Sequence, residues 1–352
     1  MAEAAKKIDA HTHVAPQWAE MAVRVMDACG IGCSVTLGWQ DAFGDTLGTL
    51  LTAFARYPGR FAQLMNLDWR GIDNPGWGKC QADELERAVE LGCAGLKIFK
   101  DLGLEVRDKS GGLIRVDDRR LDEVFERAGR LDVPVLIHTA DPLWFWRPLD
   151  SNNFWRGVLE GGYEHWMYYR TGSPSREELL GERDNLLSRH RATRFVAPHM
   201  ASLADDPLAF EEALENHPNL FADFSARLPS MVRTARRQQL WADIFRGHSH
   251  RILFGTDLIY IDSDVATGIQ SQSFQLPEDL ELDGSLSAEQ TYEQTSVAYT
   301  KSHLEFLRSD TIQPRAPFRR VEGSFALCGL GLEPDVVERI VCLTPKEVYG
   351  LG

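Results

Sequence analysis

Eight short apolar runs recur along the chain, each bounded by turn residues. They are Lys7–His13, Cys33–Trp39, Phe61–Trp69, Ala94–Phe99, Pro134–Thr139, Arg194–His199, Leu220–Ser225 and Arg251–Asp257. Helical patterns lie between most of them. Leu47, Leu50, Leu51, Phe54 and Ala55 follow the 3.6-residue period until Pro58-Gly59 stops it. Leu85, Ala88 and Val89 end at Gly92, and Leu121, Val124, Phe125 and Ala128 follow the capping-type Asp117-Asp118. Asp206-Pro207 opens a fourth helix towards Pro218, and Leu240, Trp241, Ile244 and Phe245 mark a fifth. Strand and helix alternating in this way predict an α/β fold, a parallel sheet closed into a (β/α)8 TIM barrel. The 352 residues fit one such domain, residues 1–352, and 43% hydrophobic content is ample for its core.

Two stretches exceed simple connections. Residues 140–190 follow the fifth run and are crowded with aromatics, among them Trp144, Phe145, Trp146, Trp155, Trp166 and Tyr168. Residues 258–332 follow the eighth, with a helical segment near Tyr292–Leu307, and Glu333–Tyr349 reads as a closing helix. Loops after barrel strands emerge at the C-terminal mouth. The aromatic stretch, with Trp144 and Trp146 foremost, is expected to wall a substrate pocket. The competing readings are packing on the barrel or a homodimer interface.

Several runs end in chemistry. Side chains two apart on a strand share a face, so His11 and His13 in Asp9-Ala10-His11-Thr12-His13 project together. His138, His199 and Asp257 end three further runs. One His-x-His is a weak signal, but four strands each ending in a metal-competent side chain point to a divalent ion. Zinc accepts three histidines and a carboxylate, and manganese or another transition metal is compatible. Lys97, between Leu96 and Ile98, should point into the barrel, where an unpaired ammonium is costly. It is read as paired with a carboxylate or as binding a substrate anion. Asp223, Ser225 and Arg227 share one parity. Arg227 could clamp a substrate carboxylate at the mouth or form a surface salt bridge.

The Asp-x-His-x-His of the first run, the histidines ending the fifth and sixth, and Gly255-Thr256-Asp257 in the eighth resemble the amidohydrolase superfamily. The resemblance is to the branch containing aminocarboxymuconate-semialdehyde decarboxylase and related aromatic-acid decarboxylases. It implies that His11, His13, His138 and Asp257 hold one divalent metal. His199 would be a catalytic acid/base or electrophile, or a ligand as in some members. A strand-4 lysine is carboxylated in two-metal members, which is the alternative for Lys97. The tail Cys342–Gly350 and the Ala197–Ser202 segment depart from the pattern usual in relatives.

The expected activity is metal-dependent hydrolysis of a small carbonyl substrate. The ion lowers the pKa of water towards ~7. Asp257 takes a proton and returns it to the leaving group, while His199 polarises the carbonyl or assists transfer. The alternative is non-oxidative decarboxylation of an aromatic or unsaturated carboxylic acid. A barrel that only binds is disfavoured by the intact five-residue set.

A net charge of -14 argues against nucleic-acid or anionic-membrane partners, leaving a small-molecule substrate. No apolar run approaches the ~20 residues of a membrane span. Met1 to Lys7 lacks a signal-like apolar stretch, although a chain with its signal removed would read the same. Six cysteines without a Cys-x-x-Cys pair read as reduced thiols, and the cytoplasm is the expected location.

Overall fold

The computed structural model describes residues 6–231, 235–268, 275–315 and 325–352. The strands are β1 (Lys7–Val14), β2 (Ile31–Thr36), β3 (Phe61–Gln63), β4 (Met65–Asn66), β5 (Leu96–Ile98), β6 (Val135–Ile137), β7 (Phe195–Ala197), β8 (Leu220–Asp223), β9 (Ile252–Leu253) and β10 (Leu258–Tyr260). They pair in parallel in the orders β10-β1-β2-β3 and β4-β5-β6-β7-β8-β9. The two ladders are parts of one barrel. β3 and β4 form a single stave bent at Leu64. Leu64 N–H donates to Thr36 O, whereas Met65 N–H donates to Gly95 O, so the stave turns from one neighbour to the other. β9 and β10 form the eighth stave, interrupted at 254–257. Ala10 N–H to Phe254 O (2.8 Å) and Asp257 N–H to His11 O (2.8 Å) close it against β1.

The expected (β/α)8 barrel is therefore present. A main helix follows each stave among the described residues: Ala19–Cys29, Gly44–Phe54, Trp77–Glu90, Asp122–Arg130, Arg176–Arg189, Pro207–Asn216, Ala235–Gly247 and Ala288–Arg308. Leu96, Ile98, Val135, Ile137, Phe195 and Ala197 face these helices. The alternate residues Ala10, Val35, Leu64, Leu136, Val196 and Leu253 fill the barrel interior, where Val348 and Tyr349 of the tail join them. Burying such side chains contributes roughly 1.5–3 kcal/mol each relative to exposure.

Three expectations need correction. The hydrogen-bonded staves are shorter than the apolar runs, because several runs end in left-handed backbone that leaves the ladder. The span 140–190 is not all loop. Arg176–Arg189 is the fifth helix, started by a capping box in which Ser175 and Glu178 satisfy each other's backbone N–H. The aromatic cover is thus about 140–175. Ala19–Cys29, with Met21, Ala22, Val25 and Met26 buried, was not anticipated. The tail does form a closing helix, from Pro334 to Tyr349 with a π-turn at Arg339–Leu343. Ile340 O in that turn accepts from Phe254 N–H of the interrupted stave. Within 258–332, the expected helix lies inside Ala288–Arg308, while 269–274 and 316–324 fall outside the described residues. No described helix is long and apolar enough to cross a membrane.

Candidate metal centre

β1 places His11 and His13 at the mouth, 1% and 5% exposed. His13 Nδ1 lies 2.8 Å from Gly38 O. A carbonyl only accepts, so Nδ1 carries the hydrogen and Nε2 the lone pair. His11 Nδ1 donates to Asp223 Oδ2 at 2.9 Å, leaving its Nε2 as the second lone pair. Both Nε2 atoms face Asp257 Oδ1, at 3.2 Å from His11 and 3.4 Å from His13. Acceptors facing an acceptor at this range need a cation between them. A divalent ion fits, since two imidazoles and a carboxylate with fixed outer partners are a metal-type donor set. A second proton on His11 is the other solution. Burial opposes it, but Asp223 and Asp257 outweigh burial and raise the His11 pKa to about 9. Burial lowers His13, which stays neutral. Burial alone would raise Asp257, yet His11 and His13 hold its carboxyl well below the usual range.

Asp223 sits behind this group with no exposed surface. It accepts from His11 Nδ1, from the backbone N–H of His199 (3.2 Å) and Ser225 (3.0 Å), and from Ser225 Oγ. Burial works against its ionisation, but His11 wins and the pKa falls to about 2. The residue orients the His11 imidazole and anchors the backbone of His199 at once. The sequence reading noted its parity but gave it no role. Asp9 does a related job below. Its carboxylate accepts from His11 N–H (3.2 Å), Thr256 N–H (3.0 Å) and Thr256 Oγ1 (2.7 Å), tying β1 to the residue before Asp257. Burial raises Asp9 to about 7. Asp257 itself is left-handed at φ 65°. For a non-glycine residue that conformation carries strain, and strain of this kind gathers at functional sites.

His199 begins a left-handed run. His199, Met200, Ala201 and Ser202 have φ of 60°, 56°, 53° and 59°. The turn swings the imidazole under the mouth, where Nδ1 donates to Ser225 O at 2.9 Å. Nε2 therefore bears a lone pair, and burial followed by Arg227 holds the pKa well below its ordinary value. A neutral ring with its one hydrogen committed cannot donate to a substrate carbonyl. The expected polarising role is corrected on that ground, leaving proton acceptance or ligation. His11, His199 and Asp223 offer donor atoms within 4.8 Å of one another, as do His11, His13 and Asp257. His138 is in neither set. Its ring meets His199 edge-on at 4.6 Å between centroids. Its buried Nε2 has no hydrogen-bond partner among the described residues and lies 3.7 Å from Asp141 Oδ1. An orphaned buried imidazole nitrogen next to the His199 ring suits a metal ligand.

The mouth is lined with cations. Lys97 points inward as expected, 2% exposed, with Nζ 4.7 Å from the Phe99 ring centre. The carboxylate partner expected for it is not found: its Nζ makes no ion pair among the described residues. Burial outweighs Asp257, Asp223 and Asp101 and lowers Lys97 to about 8. Lys100 Nζ binds Asp141 Oδ2 at 2.6 Å, and Tyr168 OH donates to the same oxygen. Arg227 is mostly covered beside them rather than on the surface, 3.8 Å from Asp141 Oδ1 and 5.7 Å from the Trp155 ring centre. Trp146 packs tilted against Tyr168 at 4.5 Å between ring centres and donates Nε1–H to Pro174 O. Half-buried Trp144 is held by Asn153, whose Nδ2 donates to its carbonyl. Trp39 was missed as a site residue. It stacks on His13 at 4.7 Å with 39% of its surface exposed. Its place at the end of the second apolar run, two residues past the last interior Leu37, was the available signal.

A barrel with histidines and a carboxylate gathered at the stave ends defines the class, and the sequence agrees. The amidohydrolase family profile matches residues 8–351, and the chain belongs to that family. No curated protein matches it. Among solved structures it is similar to 2,6-dihydroxybenzoate decarboxylase from Rhizobium, with 15% identity over 99% of each chain and a TM-score of 0.57. It is also similar to 5-carboxyvanillate decarboxylase from Sphingomonas paucimobilis, with 10% identity, 99% and 100% coverage and a TM-score of 0.54. A Staphylococcus aureus protein assigned as an amidohydrolase gives 16% identity, 98% and 100% coverage and 0.52. At these identities the likeness is one of fold.

Proposed function

We propose that this chain is a divalent-metal-dependent hydrolase of a small carbonyl compound that carries a carboxylate. The observation that carries this reading is the Asp257 carboxylate facing the Nε2 lone pairs of His11 and His13. His11, His13, His138 and Asp257 would hold the ion, with His199 Nε2 close by. When bound, the ion supplies Lewis acidity for water and carbonyl. Asp257 enters as a carboxylate, takes a proton from water, and returns it to the leaving group. His199 Nε2 is a second proton acceptor. Trp39 and Phe99, against His13, shield the site from bulk water. Lys97 and Arg227 attract the substrate carboxylate without moving protons.

A second reading, non-oxidative decarboxylation, is favoured by the same cations. Lys97, Lys100 and Arg227 surround the mouth, as a site that holds a carboxylate over the reacting centre requires. The fold shared with two decarboxylases of hydroxylated aromatic acids supports it. One screen separates the readings. Metal-loaded protein is offered esters, lactones and amides alongside aromatic carboxylic acids, with CO2 and titratable acid recorded separately. Acid without CO2 supports hydrolysis. CO2 release confined to the acids overturns it in favour of the second reading.

A further inference from the structure

A second concentration of cations lies outside the barrel, at the end opposite the mouth. Lys7 starts β1, and a cavity of about 530 Å³ opens beside it. Its wall includes the end of the first helix, the last three turns of Ala288–Arg308, and the edge strand Ile312–Arg315. Among the described residues four cations line it, Lys7, Lys301, Arg308 and Arg315, against one acid, Glu305. That ratio is notable in a chain of net charge -14.

Their partners do not neutralise them. Lys7 Nζ donates to the carbonyls of Cys29 (3.0 Å) and Gly30 (3.3 Å). Arg315 is 3% exposed, and its guanidinium reaches only Pro314 O and Gln313 Oε1, with Nε unpartnered among the described residues. None of the four has a carboxylate within 4 Å among the described residues. Helix C-termini favour nearby cations, which accounts in part for Lys7 and Arg308. It does not account for Arg315, which lies on a strand. A guanidinium buried without a counter-charge is costly. Crowding is visible too: burial, and then Arg308, lowers Lys7. Burial likewise lowers Arg315 to about 10, although Asp279 and Glu305 oppose it.

We propose that this cavity binds a small multiply charged oxyanion, a phosphate or polycarboxylate group, at a site separate from the metal centre. Arg315 and Arg308 offer paired N–H donors that match such a group, and Lys7 and Lys301 add charge. The site does not depend on which reaction the mouth performs.

The test uses metal-loaded full-length protein, freed of unbound metal and held at constant ionic strength. Inorganic phosphate and citrate are titrated separately by calorimetry and by thermal shift. Saturable binding with a rising Tm is expected for at least one. Lys301 and Arg308 are exposed, so K301Q/R308Q should fold normally. It should weaken binding by about tenfold for each cation removed. His11→Ala/His13→Ala should keep the binding, since the metal centre is elsewhere. Tighter phosphate binding assigns a phosphorylated ligand and tighter citrate binding a polycarboxylate; both uphold the site. No saturable binding by either, unchanged affinity in K301Q/R308Q, or loss of binding in His11→Ala/His13→Ala overturns it.

Discussion

Asp223→Asn is the perturbation whose outcome the geometry fixes most tightly. The amide keeps the shape, but it removes the charge that holds His11 Nδ1–H at 2.9 Å, the first of the two carboxylates that raise the His11 pKa to about 9. Two effects follow with opposite signs. Losing an outer partner of a ligating histidine typically costs about 10–100-fold in metal affinity. Against this, a raised pKa means that a proton occupies His11 below pH 9 and competes with the metal there. In the wild type, apparent affinity should therefore climb with pH and level off near 9, and two pH units below that value amount to about 100-fold. With one of two carboxylates gone, the climb between pH 7 and 9 should shrink. The variant should thus bind about 10–100-fold more weakly than wild type at pH 9.5, with a smaller deficit at pH 7. A chelator competition measured every half pH unit reads both curves. Parallel curves, or a deficit larger at pH 7 than at pH 9.5, would refute the argument that Asp223 orients and charges His11.

Elemental analysis should find about one divalent ion per chain, lost in His11→Ala/His13→Ala; a value near two would instead support a carboxylated Lys97. Asp257→Asn should retain the fold and some metal but lose about 10²–10⁴-fold in turnover, whereas near-normal turnover on a confirmed substrate rules out its proton role. His199→Ala should cripple turnover with metal content closer to wild type, measured on the same preparations. Trp146→Ala, and Trp144→Ala beside it, should raise KM more than they weaken metal binding, because Trp146 backs Tyr168 and so Asp141; if kinetics stay unchanged while a dimer falls apart, the stretch is an interface. Gly95→Ala places a Cβ 2.5 Å from Pro134 O between neighbouring staves. Such overpacking costs about 1–3 kcal/mol, so calorimetry should show Tm lower by several degrees, and an unchanged Tm contradicts the close approach.

The staves were legible because apolar runs ending in histidine or aspartate say both where a strand lies and where it stops. The inward direction of Lys97 followed from Leu96 and Ile98 alone. Other features were hidden for physical reasons. Arg176–Arg189 is so highly charged that its periodicity is faint, and only Ser175 with Glu178 three residues on marked its start. The left-handed run from His199 to Ser202 contains no glycine, so propensity gives no warning of it. The tautomer of His199 depends on Ser225 O, a backbone atom of the next stave, which residue types cannot reveal. Asp223 illustrates the same limit, since its alternation placed it inside, but its work is defined by what it touches.

The closure of the eighth stave on the first has a consequence for how the protein is made. His11 emerges from the ribosome early, but its orienting partner Asp223 follows 212 residues later. Thr256, which locks Asp9, comes 247 residues after it, and Ile340, which caps Phe254, is later still. The donors cannot meet while most of the chain is unmade. A nascent chain stalled before residue 257 would carry His11 and His13 without the Asp257 carboxylate that faces both in the folded barrel. Contacts of such sequence separation also slow folding, so the growing barrel passes through a period with its first stave unpaired on one edge, when help from chaperones would matter most.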